Sequence, residues 1–148
     1  MQSKRVDVVS IRMVKEASFL YPNRKISCPE DAKNLFQRFL ADMDKEYFVV
    51  ACLNAKSEVN SVEIVSVGSL NASIVHPREV FKSAVLSNAA SIIICHNHPS
   101  EHVTPSKEDQ SITDRLVDAG VILGIPVIDH IILGGDQIYS FKERGNLK

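Results

Sequence analysis

Residues 91–133, SIIICHNHPSEHVTPSKEDQSITDRLVDAGVILGIPVIDHIIL, decide how this chain folds. Ser91 to Cys95 is a short apolar run of the kind that forms a buried central strand. The stretch from His96 to Pro105 is polar, holds two prolines and has no period, so it predicts a loop. From Ser106 onward Ile112, Leu116, Ala119 and Leu123 fall at helical spacing, and Gly124 followed by Pro126 is a helix stop. Ile125 to Leu133 is again apolar. With Ile138 to Phe141 it flanks a Gly134-Gly135-Asp136 turn, the pattern of a hairpin.

Outward toward the N-terminus, Pro77 opens a helical pattern in which Val80, Phe81, Ala84 and Val85 share a face. Tyr47 to Leu53 and Val59 to Val67 read as two strands joined through the polar Asn54 to Glu58. Ala32, Leu35, Phe36, Phe39, Leu40 and Met43 line one face of an earlier helix. Ser27 and Glu30 stand before it in the S-x-x-E relation of a capping box, with Pro29 in the first turn, where its missing N–H costs nothing. Val6 to Val14 alternates polar and apolar residues and predicts a first strand. The order β-α-β-β-α-β-α-β-β implies an α/β fold, a mixed β-sheet flanked by helices. Without a linker or an internal repeat, residues 1–148 are expected to form one domain.

Composition excludes several function classes. A chain of 148 residues with 45% hydrophobic and 24% charged content can bury a sizeable core, and 6 Gly and 6 Pro leave no room for a long disordered tail. Seventeen Lys and Arg against 18 Asp and Glu give a net charge of −1, so the molecule as a whole does not attract a polyanion. Tight binding to DNA is therefore not expected from charge, and only a local basic patch would support it. Cys28, Cys52 and Cys95 are odd in number and widely spaced, which suits reduced thiols better than a disulfide framework. The N-terminus lacks the uninterrupted apolar stretch of a signal peptide, and no run is long enough to span a membrane. The expected compartment is the cytoplasm.

The chemistry is concentrated in CHNHPSEHVTPSKED, where His96, His98, Ser106 and Asp109 follow the spacing H-x-H-x7-S-x-x-D. Imidazole and carboxylate are ligands that Zn²⁺ takes, and two His with one Asp leave a fourth tetrahedral position for water, as in a catalytic site. Side chains at i and i+2 of an extended segment point the same way, so His96 and His98 can converge just past the end of the Ser91 to Cys95 strand while Cys95 turns to the core. Asp109, one turn after Ser106 near the start of the next helix, can look back at the same place. HxH alone is commonly a pair of solvated loop residues. Ser106 and Asp109 at fixed offsets, between a buried strand and a helix, tip the reading toward one metal ion held by His96, His98 and Asp109.

This segment resembles the JAMM motif of the MPN domain superfamily, and the run NASIVHPREVFKSAVLSNAASIIICHNHPSEHVTPSKEDQSITDRLVDAGVILGIPVIDHIILGG resembles the RadC family. The likeness covers residues 45–148 and rests on NAS-x-VHPREVFK, the HNHPS loop, TPS-x-ED and GIPVIDH-x-I in the same order; residues 1–44 hold the N-terminal strand and helix. The resemblance implies a JAMM/MPN domain related to the cytidine deaminase-like α/β architecture, with one Zn²⁺ per chain on His96, His98 and Asp109. It implies hydrolysis of an amide or isopeptide bond in a peptide or protein substrate. The counterpart of Ser106 helps to position the water and the oxyanion, and a Glu just before a core strand is the general base. Glu46, ahead of Tyr47 to Leu53, has that placement, although a charged turn beside Asp44 and Lys45 would also explain it. Glu63 is the weaker candidate.

The chain departs from the family pattern at Glu101, where RadC-like sequences usually carry Gly, a residue suited to positive φ. His102 is expected to be a surface residue and His76 a capping or packing residue. Asp129 and His130 interrupt an apolar strand, either as a hydrogen-bonded buried pair or as support for the site. The resemblance also brings an alternative: a DNA-associated accessory protein of repair, recombination or mobile elements, with a structural or vestigial metal. Long family members carry a helix-hairpin-helix segment, which residues 1–44 do not contain, so a stand-alone short form is expected. A metal-dependent nuclease fits less well, because one His/His/Asp site lacks the carboxylate cluster of a two-metal centre. An exposed hairpin edge would support a homodimer.

Overall fold

The computed structural model describes residues 1–40, 44–68 and 75–148. The elements are α1 (Pro29–Leu40), β1 (Tyr47–Leu53), β2 (Val59–Val67), α2 (Pro77–Val80), α3 (Lys82–Leu86), β3 (Ser91–Asn97), α4 (Lys107–Leu123), β4 (Val127–Gly134) and β5 (Gln137–Ser140). They build a mixed sheet of order β2-β1-β3-β4-β5. Only the β3–β4 pair is parallel, joined by the α4 crossover; β1–β2, β1–β3 and β4–β5 are antiparallel.

The central strands are buried on both faces, and their alternation sorts side chains into two cores. Phe48, Val50 and Cys52 of β1 and Ile92 and Ile94 of β3 pack with Phe81, Ile112 and Leu116 on the side of α2, α3 and α4. Val49, Ala51, Leu53, Ile93 and Cys95 pack with Leu35, Phe36 and Leu40 of α1 on the other. Burial pushes the Cys95 thiol well above its ordinary pKa. Cys28 is exposed and Cys52 buried, and all three cysteines are free. His96 shares the parity of Ile92 and Ile94, so β3 delivers it to the α4 face.

A bulge in β4 sets the position of His130. Ile92 pairs with Val127, but Ile93 pairs with Asp129, so β4 carries an extra residue, Ile128. A one-residue shift reverses which side chains face which way. Beyond the bulge His130 pairs with Ile94 and lies on the α4 face, beside His96.

Four expectations need correction. Val6 to Val14 is not a strand: residues 1–20 have no regular structure, and Val8 is 101% and Val14 83% exposed. Alternation specifies a strand only where a neighbouring strand supplies hydrogen bonds and cover, and neither edge of the sheet pairs with this segment. The cap of α1 uses Asp31, whose carboxylate accepts from Ser27 N–H at 2.8 Å, while Glu30 pairs with Lys33. Asp31, and not Glu30, is the third residue of a helix that starts at Pro29. Val85 is 51% exposed, because the helical stretch after Pro77 breaks at Phe81 into α2 and α3. His96 lies inside β3, which runs two residues past Cys95. Met43, placed on the α1 face by periodicity, and the NAS motif at 71–73 lie outside the described residues. No helix among the described residues is long and apolar enough to cross a membrane.

Candidate metal centre

β3, the loop after it and the first turn of α4 meet at one point. His96, on β3, is 1% exposed. His98 follows the strand end, and its backbone N–H continues the ladder to the Leu133 carbonyl at 2.7 Å. Ser106 is the N-cap of α4: its Oγ accepts from Asp109 N–H at 3.0 Å, and Asp109 Oδ2 accepts from Ser106 N–H at 2.9 Å. This capping box fixes the rotamer of Asp109 and faces its carboxylate toward β3.

The result is close convergence. His96 Nε2 is 3.0 Å from His98 Nε2 and 3.2 Å from Asp109 Oδ1, and His98 Nε2 is 3.3 Å from Asp109 Oδ2. These three residues are the cluster of metal-ligating type among the described residues, with ligand atoms all within 4.8 Å of one another. Donors about 2.0–2.1 Å from a tetrahedral Zn²⁺ are roughly 3.3 Å apart, so the spacing suits an ion of that size. The donor chemistry fits as well. His98 Nδ1 is 2.6 Å from the His102 carbonyl, which can only accept, so Nδ1 carries the proton and Nε2 faces the cluster with its lone pair when the ring is neutral. A lone pair and a carboxylate directed at one point call for a cation between them.

Electrostatics follow the same logic. Burial works to raise the pKa of Asp109, but hydrogen bonds from the His96 and His98 rings in their protonated form, with the Ser106 N–H, outweigh it and hold the carboxyl far below the usual carboxylate range. The hydrogen bond with Asp109 raises the pKa of His98 against its partial burial, with help from the His102 carbonyl and from the charges of Asp109 and Glu46. Burial pushes His130 well below the ordinary histidine value.

Glu46 stands just before β1, half-buried, in an open cleft of about 290 Å³ shared with Asp44, Lys45, Gly68 and Pro99. Pro99 directly follows His98, and the charge of Glu46 acts on the His98 ring, so this residue lies near the cluster. Glu63 lies on the edge strand β2 among Glu79, Lys82 and Glu16, away from the cluster. His102 contributes its carbonyl and leaves its ring exposed. His76 is the N-cap residue of α2 and makes no side-chain cap bond; its carbonyl accepts from Glu79 and Val80 N–H.

Asn97, Thr113 and Phe141, which the sequence reading did not single out, join Asp129 and His130 around the cluster. Asn97 donates to the Lys45 carbonyl at 2.8 Å and accepts from Tyr47 N–H at 2.7 Å, bracketing Glu46 and tying it to the end of β3. Thr113, fully buried one turn after Asp109, bonds the Asp109 carbonyl at 2.7 Å and His130 Nδ1 at 2.6 Å. Its i+4 spacing from Asp109 is the signal that would have found it. Asp129 and His130 divide the two roles open to them. Asp129 accepts from His130 N–H, Ser140 Oγ–H and Lys142 N–H, whereas the His130 ring contacts His96 Nδ1 at 2.8 Å. Phe141 stacks on the His130 ring at 4.7 Å.

Glu101 takes up φ +69°, the conformation that Gly adopts freely. Its backbone packs against Gly134, where a Cβ would come within 2.7 Å of the Glu101 oxygen. The loop therefore keeps a glycine-like geometry without the glycine.

Comparison with known proteins places this arrangement. The chain is 51% identical over 123 residues to UPF0758 protein TTE0897 of Caldanaerobacter subterraneus subsp. tengcongensis, covering 83% of this chain and 53% of that protein. It is 48% identical over 124 residues to UPF0758 protein Mbar_A2303 of Methanosarcina barkeri, covering 84% and 54%. A UPF0758 protein of Alkaliphilus metalliredigens is 52% identical over 120 residues, covering 81% and 52%. The chain thus spans about half the length of the curated relatives it matches. A family model described as RadC-like JAB domain matches residues 26–146, which takes in α1 as well as the His96, His98 and Asp109 cluster, and the mixed five-stranded sheet with its flanking helices agrees with a JAB/MPN domain. By sequence and by architecture, the chain belongs to the RadC-like JAB domain family.

Proposed function

We propose that this chain is a zinc-dependent hydrolase of the JAMM type, metallopeptidase- or isopeptidase-like, acting on an amide bond of a peptide or protein. The observation that carries this reading is the convergence of His96 Nε2, His98 Nε2 and the Asp109 carboxylate within 3.0–3.3 Å, beside an open cleft that holds a further carboxylate. His96, His98 and Asp109 would hold the ion, and imidazole with carboxylate is a donor set that zinc accepts. When bound, such an ion supplies Lewis acidity and makes water a nucleophile at neutral pH.

The chain's own residues do the remaining work. Glu46 takes a proton from the attacking water on a carboxylate oxygen and returns it to the leaving amine nitrogen. Asn97 holds the backbone on both sides of Glu46 to the strand that carries His96, so base and ligands share one rigid frame. The Ser106 hydroxyl accepts from Asp109 N–H, which leaves its own proton to donate to an oxyanion; one such donor is worth roughly 3 kcal/mol in well-studied hydrolases.

Elemental analysis and a cleavage assay test this together. Wild type should carry one zinc per chain, and His96→Ala and Asp109→Ala should lose it. Glu46→Gln should keep the zinc and lose chelator-sensitive cleavage of a peptide or isopeptide library. Full zinc in both ligand variants would overturn the ligand set. A zinc-loaded wild type that leaves amides intact but is retained on DNA in a salt-dependent way would instead favour the accessory role.

A further inference from the structure

We propose that Thr113 and His130 form a positioning relay that fixes the tautomer of His96 and so keeps His96 Nε2 bare toward the metal site; the inference rests on the metal-binding reading of the cluster. Each link is set by the number of protons available. Thr113 has one hydroxyl proton, and it goes to the Asp109 carbonyl oxygen at 2.7 Å. Toward His130 Nδ1, at 2.6 Å, Thr113 Oγ1 then offers only lone pairs, so His130 Nδ1 must carry a proton.

His130 is fully buried, stacked on Phe141 at 4.7 Å and edge-on to Phe48 at 5.7 Å. Its two ring nitrogens meet Thr113 and His96, neither of which is a carboxylate, and an ionised ring in such a place is disfavoured. A neutral His130 with its proton on Nδ1 has a lone pair on Nε2. That nitrogen accepts, and His96 Nδ1, at 2.8 Å, donates. With its proton on Nδ1, a neutral His96 presents Nε2 as a lone pair, and Nε2 is the atom 3.0 Å from His98 Nε2 and 3.2 Å from Asp109 Oδ1.

The two histidines are therefore aimed by independent devices. His98 is set by a backbone carbonyl. His96 is set by a side-chain chain that begins at the carbonyl of Asp109, the third ligand residue, so the α4 turn that presents the carboxylate also sets the tautomer opposite it. Without the Thr113 acceptor, the His130 proton is free to move to Nε2. It would then donate to His96 Nδ1 and drive the His96 proton onto the metal-facing nitrogen.

Zinc affinity, measured by competition with a chromophoric chelator, and nitrogen-15 spectra of the histidine rings test the relay. Thr113→Val and His130→Phe should each weaken zinc binding about ten- to hundredfold, the usual effect of removing a group that orients a ligand, and Thr113→Ser should restore it. Zinc-free wild type should show protons on Nδ1 of both His96 and His130 and none on His130 Nε2, with His130 shifting toward Nε2–H in Thr113→Val. A folded Thr113→Val with wild-type affinity, or a wild-type spectrum with the proton on His130 Nε2, overturns the relay. A wild type that takes up no zinc defeats the metal-binding reading instead, and the ring spectra still decide the relay.

Discussion

Gly134 ends β4 where the loop after His98 crosses it, and Gly134→Ala should damage both stability and metal binding. A Cβ built there meets Glu101 O at 2.7 Å, Glu101 C at 2.8 Å and Val103 Cγ1 at 2.8 Å. Carbon contacts are comfortable at about 3.5–4.0 Å, so the loop must retreat by more than roughly half an ångström. Two of the three atoms are backbone, which cannot turn aside as a flexible side chain can. Overpacking of this kind costs about 1–3 kcal/mol, or a fall of roughly 3–10 °C in Tm for a chain of this size. The loop that moves carries the His102 carbonyl, which orients the His98 ring from 2.6 Å, and ligand geometry tolerates only about 0.5 Å of error. Zinc affinity should therefore fall about tenfold in the same variant. Gly135→Asn is the control: its φ of +57° is one that Asn tolerates, and the nearest atoms to a Cβ belong to the flexible Glu101 side chain. It should leave zinc affinity unchanged. Urea denaturation and chelator competition on the two variants decide the matter. A Gly134→Ala protein within about 0.5 kcal/mol of wild type, binding zinc as tightly, would refute the claim that this close approach holds the loop.

Gly120→Ala inverts the usual sign for a helix glycine: propensity favours Ala by about 1 kcal/mol, but its Cβ would sit 2.6 Å from the Ile125 carbonyl oxygen, so denaturation should show a net loss of up to about 2 kcal/mol. Glu101→Gly relieves a left-handed conformation that costs an ordinary residue about 1–2 kcal/mol and returns about 0.5–1 kcal/mol in unfolded-chain entropy, so its melting point should equal or slightly exceed wild type, while Glu101→Val should fall below it. Zinc must displace any proton from His98, whose pKa lies above the ordinary histidine value, so affinity measured from about pH 8 downward should already weaken near neutrality; affinity that held level to about pH 5 would exclude His98 as a ligand.

Much of this was open to a reader of the amino-acid sequence because its cause is local. The ligand cluster is legible since His96, His98, Ser106 and Asp109 lie within fourteen consecutive positions, and strand, loop and helix start are each marked by their own residues. The faces of α1 and β3 follow from period alone, and Cys95 turns into the α1 core as its parity requires. Val6 to Val14 shows the limit of the same method. Its alternation, broken at Val8–Val9 and Met13–Val14, is still enough to suggest a strand, yet a strand exists only when another chain segment completes its hydrogen bonds, and periodicity carries no information about that neighbour. The cap of α1 moved from Glu30 to Asp31 for a related reason, because the first turn holds two carboxylates and only the helix start decides which is third.

Apart from His130, which the sequence offered as possible support for the site, what surrounds the cluster was hidden by a different kind of cause. Thr113, His130 and Phe141 meet around His96 only through the register between β3 and β4, while Asn97 reaches the backbone on both sides of Glu46 at the start of β1. Period two carried along β4 without interruption puts His130 on the face opposite Val127 and away from α4, and only the extra residue Ile128 brings it back. The bulge re-aims every side chain that follows it in β4, not His130 alone. The same step sends Ile131 and Leu133 into the α1 core, and His130 reaches His96 from the opposite face. The polar pair that looks misplaced in an apolar strand is thus divided by one step of register. Asp129 ties β4 to the chain around β5, and the His130 ring meets His96 Nδ1 at 2.8 Å.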